Sequence, residues 1–184
     1  MEIDEIPYRD SIVFLDGDMV CLRLSSPNQD ACTEIFTIIN KLFSTSKIIL
    51  KFISFEEDFM PVIKFCNREN TKIYKGKNRL KFFTVAFPEL HAEIATQEDL
   101  LGILSNWSSV IYQTIVLYVV NEENKEKVLQ SIENDTYKGT DSIFSTWDNV
   151  KLAIRNQPEA NCHNTFALFI HKEYLKSVLE FFDI

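Results

Sequence analysis

Three strand-length apolar runs constrain this chain most. Lys47 to Ser54 (KIILKFIS), Gln113 to Val120 (QTIVLYVV) and Thr165 to Ile170 (TFALFI) carry little polar alternation. All three read as strands, the first of them as one buried on both faces, and each is far shorter than the ~20 residues a membrane helix needs. Between them, apolar residues recur at three- and four-residue steps. Cys32, Ile35, Phe36, Ile39, Leu42 and Phe43 mark a helix behind a Ser26 cap and Pro27. Strands alternating with amphipathic helices predict a layered α/β domain.

The remaining segments fit the same scheme. Ser11 to Leu15 and Met19 to Leu24 are β-rich runs around Asp16-Gly17-Asp18, a strong hairpin signal. Phe59, Val62, Ile63 and Cys66 keep helical spacing from about Asp58, with Pro61 in the first turn. Thr71 to Tyr74 and Leu80 to Phe87 read as strands joined by Lys75-Gly76-Lys77-Asn78, and Pro88 stops the second.

Thr96 and Asp99 have capping-box spacing ahead of Leu100, Leu101, Leu104 and Trp107. Glu122 to Asn134 reads as a surface helix, with Glu123 and Lys127 at i,i+4 and an inward stripe at Val128, Leu129 and Ile132. Thr140-Asp141-Ser142 caps another expected helix, with Ile143, Trp147, Val150 and Ile154 on one side. Asn156 to Asn164 reads as a polar loop, and His171 to Phe182 as a closing helix. The expectation is a single α/β domain over residues 1–184, a mixed β-sheet flanked by helices, with its weakest point near 67–70.

Composition narrows the function classes. The formal net charge of −8 counts against a nucleic-acid-binding surface, which needs a basic face. Fifteen phenylalanines against four glycines favour a thick core over phosphate-cradling loops. Met1 to Pro7 is acidic and lacks the basic and apolar regions of a signal peptide. Cys21, Cys32, Cys66 and Cys162 have no framework spacing and read as thiols in a reducing compartment. These features make a cytoplasmic location, with no membrane association, the expectation.

Two short motifs carry enzymatic chemistry. His91-Ala92-Glu93 resembles the H-x-E step of zinc nucleobase deaminases, which supplies a metal ligand and the proton-shuttling glutamate. The resemblance spans roughly residues 91 to 129 and includes the apolar strand before the family's cysteine motif. Where that family shows Glu-Pro-Cys, this chain has Asn121-Glu122-Glu123-Asn124-Lys125, so two thiolate ligands are missing. Read without the family, His91 to Ala95 is a junction into the Thr96 helix, with Glu93 solvated near a helix N-terminus.

Asp16 and Asp18, following Ile12 to Leu15, resemble the first motif of haloacid-dehalogenase-type phosphotransferases. That resemblance implies Asp16 as nucleophile, Asp18 as general acid and a magnesium ion. Downstream strand ends lead to Asn121 and His171 rather than to an acidic pair, and the hairpin reading is the stronger one.

Other constellations are thinner. Cys162 and His163 are neighbours, which on a strand would point to opposite faces, and His163 and His171 bracket the last strand. Lys72, Lys75, Lys77, Arg79 and Lys81, with Tyr74, Phe82 and Phe83, form a basic cluster read as a solvated or edge-guarding face. Nucleotide-cradling and serine-hydrolase motifs are missing.

The expectation is a non-enzymatic module that binds a protein partner, an acidic inhibitor of the immunity or antitoxin type acting on a basic toxin or nuclease. Glu122, Glu123 and Glu126 are its candidate partner-binding residues, with no cofactor and no metal. The alternative is a metal-dependent hydrolase at His91 and Glu93 or a phosphotransferase at Asp16 and Asp18.

Overall fold

Among the described residues, eight strands pair into one sheet in the order β1-β2-β8-β7-β6-β3-β5-β4. The computed structural model describes residues 12–14, 19–25, 30–74, 87–105, 114–138, 143, 146–156 and 165–181. The strands are β1 (Ile12–Phe14), β2 (Met19–Ser25), β3 (Lys47–Ile53), β4 (Cys66–Tyr74), β5 (Glu89–Ile94), β6 (Thr114–Val120), β7 (Val150–Asn156) and β8 (Thr165–His171). The helices are α1 (Asp30–Leu42), α2 (Met60–Ile63), α3 (Gln97–Ser105), α4 (Lys125–Lys138) and α5 (Lys172–Phe181).

The layered α/β architecture is the expected one, but every pairing among the described strands is antiparallel. Alternating strands and helices suggest parallel crossovers only if each helix returns to a neighbouring slot. Here α1 instead carries the chain from β2 past the positions later filled by β8, β7 and β6, so that β3 starts a new group of strands. β1 and β2 pair with Ile12 opposite Leu22, as a hairpin requires. Asp16 and Asp18, between the two strands in sequence, lie outside the described residues. Asn67 to Asn70 falls within β4, which is paired to β5 in the same sheet.

Both faces of the sheet are buried at its centre, while the edge strand β4 is largely exposed or half-buried. Ile35, Ile38 and Ile39 of α1, Leu100, Ile103 and Leu104 of α3 and Val178 of α5 pack against Leu50, Leu90, Leu117, Leu152 and Leu168. On the other face Val128 and Ile132 of α4, with Ile143 and Trp147, meet Ile49, Val116, Tyr118, Ala153 and Phe169. The central strands β3 and β6 are buried on both sides for this reason. No described helix is long and apolar enough to cross a membrane.

Three expected elements change. Val150 and Ile154 belong to β7, not to a helix continuing from Ile143, because β6 and β8 offer that segment hydrogen-bonding partners on both sides. Helical and strand periodicity coincide at those two positions, and only the tertiary pairing separates them. Cys66 opens β4 instead of ending a helix, which is reduced to a 3-10 turn (Glu56–Phe59) and α2 with Pro61 in its first turn. His91 to Ile94, expected as a junction, is the body of β5. Residues 75–86, which include the Lys75-Gly76-Lys77-Asn78 loop and most of the Leu80 to Phe87 run, lie outside the described residues.

Thr96 caps α3 as its spacing implies: its Oγ1 accepts the Asp99 amide at 3.2 Å and donates to Asp99 Oδ2 at 2.7 Å. Inside that helix Gly102 faces the Phe65 ring so closely that a Cβ would collide with it. Gly102→Ala should gain about 1 kcal/mol of helix propensity. It should lose about 1–3 kcal/mol to overpacking, for a net destabilisation in urea unfolding. In a Phe65→Ala background the same substitution should become stabilising, and a cycle with no such sign change would remove the clash as the reason for glycine there.

Candidate functional site

β5 reads Glu89-Leu90-His91-Ala92-Glu93-Ile94, and all six residues are buried. Alternation sends Leu90, Ala92 and Ile94 into the core shared with α1 and α3. It sends Glu89, His91 and Glu93 to the opposite face, the one α4 packs over. Their exposures are 1%, 2% and 3%, so two carboxylates and an imidazole sit inside the protein. An unpaired buried carboxylate is prohibitively costly, so partners must be present.

Glu89 and His91 form the first group. Lys51 of β3, only 6% exposed, places Nζ 3.4 Å from Glu89 Oε2. His91 Nε2 lies 3.0 Å from that oxygen, and the Thr136 hydroxyl of α4 donates to it at 2.6 Å. A carboxylate only accepts, so Nε2 carries the imidazole proton and Nδ1 carries the lone pair. Burial by itself would raise the Glu89 carboxyl, yet the His91 hydrogen bond, the Lys51 charge and Thr136 hold it below its ordinary value. Burial pushes His91 down against the pull of Glu89, which keeps the ring neutral at physiological pH. Its Nδ1 has no hydrogen-bond partner among the described residues.

Glu93 anchors the second group. Its Oε1 lies 3.5 Å from Lys47 Nζ of β3 and its Oε2 3.4 Å from Lys125 Nζ of α4. Asn67 and Asn70 of β4 donate their side-chain amides to the same Oε2. Both lysines also reach Glu122, at 3.2 and 2.9 Å. Glu93 and Glu122, singled out for unrelated reasons, therefore share two cations. Glu93 is not the solvated carboxylate expected near a helix N-terminus, because β5 runs through it and turns it under α4.

Between β4 and α4 a cleft of about 220 Å³ opens above the first group. Asn70, Lys72, Tyr74, Leu129, Glu126 and Glu133 line it together with Gln130, and the His91 ring contributes to its wall. The Tyr74 ring lies 4.5 Å from the His91 ring, centroid to centroid, tilted by 39°. Of the expected partner-binding residues, Glu122 and Glu123 are exposed in the turn before α4, and Glu126 is exposed at the rim of this cleft.

His91 and Glu93 share a face of β5, but each is committed to its own set of partners. The described thiols lie elsewhere: Cys32 and Cys66 pack on the opposite side of the sheet, and Cys21 is on β2. Burial and the nearby Asp99 push the Cys66 thiol up to about 12, so it is no thiolate. Among the described residues no three His, Cys, Asp or Glu side chains converge as a metal site. Cys162 and His163 lie outside the described residues, and His171 stacks on Trp147 at 5.8 Å. No protein-family model, characterised protein or solved structure matches the chain.

Sequence reasoning missed Glu89, Lys51, Lys47, Thr136, Asn67 and Asn70. The period-two pattern of residues 89–94 was the available signal, masked by Pro88 as a strand terminator. Lys51 had a signal too, as a cation flanked on both sides by apolar residues of the run.

Removing one partner of the buried pair should cost far more than removing both. Lys51→Met is expected to lose about 3–5 kcal/mol, and Lys51→Met with Glu89→Leu to recover most of it, by urea unfolding at neutral pH. Acid should also weaken the fold in two windows. His91 charges in the unfolded chain below its ordinary 6.5 but resists charging when folded, so stability falls as pH drops below that value. Glu89, held below its ordinary 4.5, adds a second loss further down. His91→Gln should flatten the upper window alone, and an unchanged slope between pH 7 and 5 would show that His91 is not buried neutral.

Proposed function

We propose that this protein is a non-enzymatic binding module whose acidic α4 side engages a basic protein partner, in the manner of an inhibitor of the immunity or antitoxin type. One observation supports the reading above others: charge is sorted by depth around α4. Lys125 is 16% exposed at its side chain and, with Lys47, is drawn toward buried Glu93. Glu122, Glu123 and Glu126 remain exposed and Glu133 half-buried, against a single exposed lysine, Lys127, between Glu122 and Glu133. Such a face steers a cationic partner and contributes more to association rate than to final affinity.

Hydrogen bonds from Lys125 and then Lys47 hold Glu122 below its ordinary carboxyl value, so it stays charged at mildly acidic pH. Catalysis would need a reacting group beside His91, and its Nε2 is already occupied by Glu89 and Thr136. A permanent, inwardly anchored charge pattern suits recognition better than turnover.

The test is capture of partners from the native host by the full chain and by a Glu122→Gln, Glu123→Gln, Glu126→Gln variant, with folding checked by circular dichroism. A basic protein should be retained at low salt and released at high salt, and its association should slow about tenfold with the variant. A partner bound equally by both proteins, or a partner that is not basic, would overturn the reading.

A further inference from the structure

The cleft between β4 and α4 has an acceptor-rich lining whose chemistry identifies a ligand class. Its rim carries two carboxylates, Glu126 and Glu133, one on each side of Leu129 and Gln130 along α4. The His91 ring also lines it while being 98% buried, and its Nδ1, the nitrogen not engaged by Glu89 and Thr136, has no hydrogen-bond partner among the described residues. The Tyr74 ring stands beside His91 and supplies an aromatic wall. At about 220 Å³ the space is smaller than the roughly 300–1,000 Å³ of pockets for drug-sized ligands, so it suits a single side chain or head group.

We propose that this cleft recognises a guanidinium group. A guanidinium is planar and carries five donors and no acceptor, which matches carboxylates, an imidazole lone pair and an aromatic wall. An ammonium is a compact, strongly hydrated point charge and uses the ring face and the dispersed acceptors less well. A metal ion fits poorly, because no metal-ligating triad converges among the described residues. An anion would meet two carboxylates, with Lys72 as the one cation among the described lining residues. Lys72 is exposed on β4 and opposes the guanidinium, which makes it a useful probe of sign. The choice of a partner's arginine as the source, over a free guanidinium metabolite, rests on the acidic-face reading above; the chemistry of the cleft does not.

The experiment is an NMR titration of the nitrogen-15-labelled full chain with N-acetyl-arginine methylamide, following the His91 side-chain nitrogens. The lysine analogue and tetramethylammonium chloride serve as controls. The arginine probe should shift Nδ1 saturably, with the lysine analogue binding several-fold more weakly. Glu133→Gln should weaken the arginine probe about tenfold, since it removes a charge-assisted acceptor. Lys72→Ala should tighten it a few-fold by removing a like charge.

A shift reproduced by tetramethylammonium chloride, no saturable shift, or affinity unchanged in Glu133→Gln would overturn the proposal. The source is distinguished separately: a captured partner whose binding is competed by the arginine probe identifies a protein arginine, while probe binding without competition identifies a free small molecule. If the probe fails while capture still depends on Glu122, Glu123 and Glu126, the pocket assignment falls and the acidic-face reading stands.

Discussion

Neutralising the carboxylates of β5 is the constraint on which this half of the molecule depends. An apolar strand at that position would pack under any amphipathic helix of adequate length. A strand bearing Glu89 and Glu93 on its α4 side needs cations and donors at fixed places, and they come from three elements: Lys47 and Lys51 on β3, Asn67 and Asn70 on β4, Lys125 and Thr136 on α4. Breaking such a pair costs more than its presence gains, so the ions act chiefly as a specification of register and helix placement. Shifting β5 by one residue would turn Leu90 and Ala92 toward the lysines and drive the carboxylates into the α1 core.

Much of the architecture was legible because short, continuous apolar runs of strand length fit buried strands. β3, β6 and β8 were recognisable in this way, as were α1, α3, α4 and α5 from their helical stripes and the Thr96 cap. β7 was not, since Val150 and Ile154 satisfy both periodicities and the decisive pairing with β6 and β8 is non-local. The candidate site was half visible. His91 and Glu93 stood out as a motif, but the motif drew attention to zinc chemistry and away from the strand alternation that governs where those side chains go. Their partners sit on separate elements, and sequence spacing carries no information about them.

The charge of the chain reads differently once its depth is known. The net charge of −8 counts surface and interior groups alike. Around α4 the interior takes lysines as counter-ions for Glu89 and Glu93, and the carboxylates of the outer side are left facing water. An acidic exterior is thus partly a by-product of an ionic interior. The two are coupled through Lys47 and Lys125, each of which touches one buried and one exposed glutamate.

The pairing of β2 with β8 has a consequence for how the molecule is made. Cys21 lies opposite Phe169, so the second strand of the chain finds its sheet neighbour only after nearly every other described element has been synthesised. Until then β2 has only β1 beside it, and its apolar residues wait without a second strand to cover them. Topologies closed by such distant partners fold slowly and leave strand edges open during synthesis. In a nascent chain, that edge of β2 therefore has no native strand to pair with until β8 emerges.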